Sequence, residues 1–320
     1  MGPTRLRIGA RPSALALAQA DIVAAAIRAS LPGVAIEIVR IRTTGDKLKT
    51  AALADVGGKG LFIRELENAL GERRIDLAVH SMKDLPAVLD ARFRIAAVPA
   101  REDPRDAIVS RTEGALDGLP AGARVGTASM RRRFQMIGVR PDLQIALLRG
   151  NVDTRLNKLA AGEFDAIIVA LAGLRRIGRS DIDGLSILDE HDFVPAGGQG
   201  ALGIEALADR PVGGSEALEQ ALAEIDDQAA RCETAAERAF LAAIGASCVT
   251  PVGVHARRSP NRLVLKAQLF DIEGKRRLVD QLEVQLKATL EDYSEASAAA
   301  IGVELGRRML ARGAAEMVAR

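Results

Sequence analysis

The chain reads as an α/β protein, two α/β domains followed by a C-terminal α+β domain with a small antiparallel sheet. Three observations predict this. Through the first two thirds of the sequence, short β-branched runs alternate with stretches of helical periodicity, the pattern of βαβ units around a mostly parallel sheet. Two segments interrupt that alternation, the charged and proline-bearing Pro99 to Ala107 (PAREDPRDA) and the glycine-rich Pro195 to Gly203 (PAGGQGALG), and both read as crossings between domains. In the last third the order changes to a long helix, three alternating strand runs and a final helix. These breaks, with the change of pattern after about residue 215, divide the chain into its expected domains.

The elements follow in order. Leu6 to Gly9 is the first strand, and Ser13 offers an N-cap hydroxyl to a helix running to Arg28. Val34 to Ile41 (VAIEIVRI) alternates strictly and predicts a strand. Gly60 to Arg73 puts Phe62, Leu66, Ala69 and Leu70 on one helical face. Further strands are expected at Ile75 to Val79, Ile95 to Val98, Arg124 to Gly126, Ile145 to Leu148 and Ala166 to Ala170, with helices at Ser129 to Ile137 and Val152 to Ala161. A helix is expected from Asp226 to Ile244, then strands at Pro251 to Ala256, Arg262 to Phe270 and Arg276 to Gln285.

Composition removes several classes. With 320 residues, 48% hydrophobic, 27% charged and a net charge of +2, the chain is an ordinary globular sequence. Its longest apolar run, Ala166 to Leu174, is about half of the roughly 20 residues a bilayer span needs. No secretory h-region follows the arginines of the N-terminus, so a cytoplasmic location is expected. Arg and Lys nearly balance Asp and Glu, and eight aromatics are too few to stack bases, so nucleic acid is not an expected partner. Three scattered histidines and two cysteines do not make a metal site. Of the basic residues 36 are Arg and 8 are Lys, a bias that a GC-rich genome explains as readily as bidentate carboxylate recognition.

Two glycine strings imitate nucleotide motifs. Gly198-Gln199-Gly200-Ala201-Leu202-Gly203 matches GxGxxG but follows no buried strand, and Gly57-Gly58-Lys59-Gly60 lacks the first glycine and the hydroxyl of a P-loop. No nucleotide cofactor is expected. Strand ends are more informative, because open α/β sheets bind ligands there. The strands ending at Val79, Gly126 and Leu148 run into His80-Ser81-Met82-Lys83-Asp84, Thr127-Ala128-Ser129-Met130-Arg131-Arg132 and Arg149-Gly150-Asn151 with Arg155 a turn beyond. Three basic clusters on adjacent strand ends, beside helix N-termini, would trap carboxylates, whereas the same arginines taken singly read as solvated helix faces. Asp84 among those cations should stay ionised, either to meet a developing positive charge or in a salt bridge. Cys248 lies in a small-residue loop before Pro251 and is expected to be accessible, while Cys232 falls within the long helix and reads as packing.

These residues carry a resemblance to the hydroxymethylbilane synthase family, also called porphobilinogen deaminases. The blocks are RIGARPSALALAQA at Arg7, VGGKGLFIRELENAL at Val56, DLAVHSMKDLP at Asp76, REDPRDA at Arg101, GTASMRRR at Gly126, LRGNVDTRLNKL at Leu148, DAIIVALAGLRRIG at Asp165, VPAGGQGALGIE at Val194 and the cysteine loop at Gly245. The resemblance implies two domains similar to periplasmic-binding-protein folds and a third carrying the cysteine. It implies an enzyme that joins four porphobilinogens head to tail, releases four ammonia molecules and then hydroxymethylbilane. It also implies a monomer, with transient hand-over of product to a uroporphyrinogen-III synthase.

By the same resemblance, Cys248 holds a dipyrromethane cofactor through a thioether, with no metal, and Asp84 is the catalytic aspartate. Arg11, Ser13, Lys59, Phe62, Ser81, Lys83, Thr127, Ser129, Arg131, Arg132, Arg149, Gly150, Arg155, Arg176 and Gln199 match positions around the cofactor and the substrate's acetate and propionate groups. An arginine-rich cleft suits a chain of pyrroles that brings two carboxylates per ring. Lys47 to Val56 is expected to be a mobile lid that makes room for the growing product. The chain departs from the family pattern at Asp55, where many relatives have lysine, at Ala128, which removes one hydroxyl, and at Ala246-Ser247, which replace Gly-Gly. The other readings are a non-catalytic small-carboxylate binding protein, which would need neither Cys248 nor a third domain, and a cysteine hydrolase with His80 as partner.

Overall fold

The computed structural model describes residues 5–42, 63–247, 249–285 and 294–318. The chain divides into two compact units, Met1–Arg101 with Ala201–Thr234, and Glu102–Gly200 with Ala235–Arg320.

The first unit is built on a five-stranded sheet of Arg5–Ala10 (β1), Ala35–Arg40 (β2), Leu77–Ser81 (β3), Phe93–Ala97 (β4) and the late strand Leu202–Leu207 (β10), in the order β2-β1-β3-β10-β4. β1 runs parallel to β2 and β3, and β10 returns antiparallel to β3 and β4. Leu6, Ile8 and Ala10 alternate inward from β1 and pack with Val23, Ala24 and Ile27 of the helix Ala14–Ser30. Burying each Leu, Ile or Val of this set contributes about 1.5–3 kcal/mol relative to exposure. Ser13 caps that helix as its position predicts, its Oγ accepting from the Ala16 amide at 3.3 Å. The helix Arg64–Gly71 sets Leu66, Ala69 and Leu70 against Ile75, Ala78 and Phe93.

The second unit repeats the plan. Asp106–Ser110 (β5), Arg124–Thr127 (β6), Gln144–Leu147 (β7), Ala166–Ala170 (β8) and Leu185–Ile187 (β9) form a sheet in the order β7-β6-β8-β5-β9. β6 is parallel to β7 and β8, and β5 is antiparallel to β8 and β9. The unit also contains an antiparallel sheet of Val252–Ser259 (β11), Arg262–Phe270 (β12) and Arg277–Gln285 (β13), accompanied by the helix Glu295–Ala311. Gly302 of that helix lies so close to the carbonyl of Ala236 that a Cβ would stand 2.1 Å from its oxygen. Glu237, fully buried, accepts from the amides of Gly198 (2.6 Å) and Ala256 (2.8 Å) and so ties a glycine turn to β11.

Two strands lie hidden in the segments read as crossings. β5 starts inside PAREDPRDA and β10 inside PAGGQGALG. All five residues of β5 and the first five of β10 are buried, so neither strand shows the alternation that marks a half-exposed one. The strand expected at Ile75 to Val79 begins two residues later, at Leu77. The long helix expected from Asp226 is Gln228–Ala243, preceded by a separate helix Glu216–Ile225.

Candidate active site

In the first unit, neighbouring strands β1 and β3 end at one edge of the sheet. Arg11 and Ser13 follow β1, while Ser81 closes β3 and leads into a single helical turn, Met82–Asp84. Three contacts seat that turn: the Met82 amide donates to the Ala201 carbonyl at 3.0 Å, the Leu85 amide donates to the Met82 carbonyl at 3.1 Å, and the Met82 side chain is buried. Gln19 donates to Ser81 Oγ at 2.9 Å. Lys83 is half-buried. Asp84 is exposed and has no hydrogen bond or ion pair with any other described residue, so its carboxylate is turned to solvent rather than used in a salt bridge. His80 is buried, its Nε2 lying 2.9 Å from the buried carboxylate of Glu205. That contact withdraws it from the surface role a cysteine hydrolase would require.

In the second unit β6 lies between β7 and β8, and all three point the same way. At their shared edge the Ser129 amide donates to Thr127 Oγ1 (3.1 Å), and Ser129 Oγ accepts from the Arg132 amide (3.4 Å), capping the helix Met130–Val139. Asn151 Oδ1 accepts from the Thr154 amide (2.8 Å) and caps the helix Val152–Ala160. Two helix N-termini therefore open beside Arg149, and each favours an anion. Arg149 is exposed, and Arg155 Nε donates to the carbonyl of Gly150, whose φ of 122° suits only glycine. Arg176 Nη2 donates to the Gly200 carbonyl at 2.5 Å. Burial pulls its guanidinium down to about 10, against the opposing pull of Glu102.

Three of the expected binding residues converge on a carboxylate that sequence reasoning missed. Asp106 is fully buried at the start of β5, which pairs with the end of β8 and so brings it to the same edge. Arg131 Nη1 donates to its Oδ2 at 2.6 Å. Arg132 donates to Oδ1 through Nε (3.0 Å) and Nη2 (2.7 Å), and Gln199 Nε2 donates to Oδ1 at 2.7 Å. Burial alone would raise the pKa of Asp106, but the charges and bonds of Arg131 and Arg132 outweigh it and hold the carboxyl far below the usual range. Burial lowers the pKa of Arg131 in turn. Sitting in a stretch taken for a crossing, Asp106 carried no periodic signal.

One expectation needs correction. The three strand-end clusters are not on adjacent strands: β6 and β7 are neighbours, but β3 belongs to the other sheet, because the chain leaves the first unit after β4. Cys248, Lys59, Phe62 and the segment Lys47 to Val56 lie outside the described residues. Among the described residues, no group of His, Cys, Asp and Glu could hold a metal ion, and no helix is long and apolar enough to cross a membrane.

Residues 6–212 match the family model of the porphobilinogen deaminase dipyrromethane cofactor binding domain, and residues 231–311 match that of the porphobilinogen deaminase C-terminal domain. The chain belongs to the porphobilinogen deaminase family. It is 45% identical to the porphobilinogen deaminase of Syntrophobacter fumaroxidans, over 97% of this chain and 95% of the relative. With the porphobilinogen deaminase of Roseiflexus sp. it shares 48% identity over 84% of this chain and 87% of the relative. A solved periplasmic binding protein of high arginine specificity from Salmonella typhimurium matches 69% of this chain and 93% of its own, at 13% identity and a TM-score of 0.39.

Proposed function

We propose that Asp84 is the catalytic residue of this porphobilinogen deaminase and that Cys248 anchors its dipyrromethane cofactor. The enzyme is a transferase that condenses four porphobilinogens head to tail, releasing four ammonia molecules and then the linear tetrapyrrole hydroxymethylbilane. The observation that carries the catalytic assignment is the exposed carboxylate of Asp84, unpaired among the described residues, on a turn seated by the Met82 amide on the Ala201 carbonyl.

The residues present suit a ligand rich in carboxylates. Basic side chains follow the strand ends of each sheet, Arg11 and Lys83 in the first and Arg149 and Arg155 in the second, and the second adds two capped helix N-termini and the half-buried guanidinium of Arg176, which donates to the Gly200 carbonyl. We assign Thr127, Ser129, Arg149, Arg155, Arg176, Arg11, Ser13 and Lys83 to binding the carboxylates of cofactor and substrate. Arg131, Arg132 and Gln199 join them through Asp106. When bound, the dipyrromethane supplies the free pyrrole carbon onto which the first substrate unit is joined.

Loss of ammonia from porphobilinogen leaves an electrophile whose positive charge spreads onto the ring nitrogen. A fixed carboxylate beside it stabilises that charge, accepts a hydrogen bond from the pyrrole N–H and takes up a proton as the new bond forms. We assign those tasks to Asp84. A monomeric, cytoplasmic enzyme of three domains (1–99 with 200–217, 105–194 and 222–320) that hands its product to a uroporphyrinogen-III synthase completes the proposal. Asp84→Asn tests the catalytic assignment: porphobilinogen consumption is expected to fall by about 10²-fold or more with the fold intact. Native turnover in that variant would remove Asp84 from the role.

A further inference from the structure

We infer that Asp106 is a positioning residue that sets Arg131 and Arg132 for the carboxylates of the bound pyrroles; this rests on the function proposed above. Asp106 is wholly enclosed and is the common acceptor of Arg131, Arg132 and Gln199. Gln199 is itself fixed, donating to the Pro104 carbonyl at 2.6 Å and accepting from Arg132 Nη2 at 3.3 Å. Arg132 Nη1 reaches the Ile168 carbonyl at 3.2 Å. Arg131 Nη1 also meets Gln135 Oε1 (3.0 Å) and the Val194 carbonyl (2.9 Å).

Two guanidiniums share this one carboxylate, so the cluster holds one positive charge more than it balances, with both arginines almost fully removed from water. Buried charge is unfavourable until paired. An anion is therefore the group that completes the cluster, and a pyrrole acetate or propionate has the required planar carboxylate. All of Arg131's bonds to described residues run through Nη1, which leaves Nη2 for such a partner. Without Asp106 the two like charges would push apart and lose their fixed directions.

The test is steady-state kinetics and thermal unfolding of the full chain as Asp106→Ala and as Asp106→Asn, which deletes the charge but keeps the shape. The expected result is a folded protein whose KM for porphobilinogen rises by about tenfold or more while kcat changes much less. Added sodium formate, a small carboxylate able to occupy the space vacated in Asp106→Ala, should lower KM again in a dose-dependent way. A purely structural role would lower the melting temperature without this split or this rescue. Folded variants with native KM and kcat would overturn the inference, as would variants that fail to fold even with formate, since Asp106 would then serve the fold itself. If the native protein does not consume porphobilinogen, the proposed function fails instead, and the two failures are thereby distinguished.

Discussion

The Glu102 amide donates to the Gly200 carbonyl at 3.2 Å, so the chain enters the second unit and leaves its first segment at a single point. The same carbonyl accepts from Arg176 Nη2, and Arg175 Nη1 meets Glu102 at 2.6 Å. An arginine expected to bind substrate thus rests on the residue that closes this contact.

Gly200→Ala is expected to disrupt that contact. Gly200 has a φ of 87°, and a Cβ there would stand 2.2 Å from the Glu102 carbonyl oxygen, a backbone atom that cannot turn aside. Left-handed strain alone costs about 1–2 kcal/mol and the clash adds to it, so the midpoint of urea unfolding should fall clearly. An unchanged midpoint would show that the segment can relax around a side chain.

Arg149→Ala should behave in the opposite way. Its side chain is exposed with no bond to another described residue, so the variant should melt within about a degree or two of the native protein. KM for porphobilinogen should rise by about tenfold, the worth of one charge-assisted hydrogen bond of about 1.5 kcal/mol. A large loss of stability would show that Arg149 supports the fold.

The parts legible in the sequence were those with local signatures. Ser13 and Ser129 announce their helices because an N-cap hydroxyl needs only the next three residues, and Ala166 to Ala170 is found because its β-branched Ile and Val residues follow a βα alternation already under way. What stayed hidden depends on distant partners. DAIVS becomes a central strand only because β8 and β9 flank it, and Asp106 becomes a site residue only because Arg131, Arg132 and Gln199 fold onto it. That His80 pairs with Glu205, 125 residues on, was likewise beyond any local signal.

Acid should unfold the native chain more steeply than Asp106→Asn. The folded state binds a proton at Asp106 more weakly than the unfolded chain does, so stability from this carboxylate is complete above the unfolded value of about 3.9 and is lost as pH falls below it. Urea unfolding between about pH 5 and pH 2 measures this. Parallel curves for the two proteins would mean that the carboxylate is not held in its ionised form.

The most direct measurement is the intact mass of the purified protein, with any adduct mapped by peptide. An increment of two porphobilinogens less two ammonia molecules, located on the peptide containing Cys248, is the expected result. A protein that carries no adduct and forms none on incubation with porphobilinogen would contradict the account.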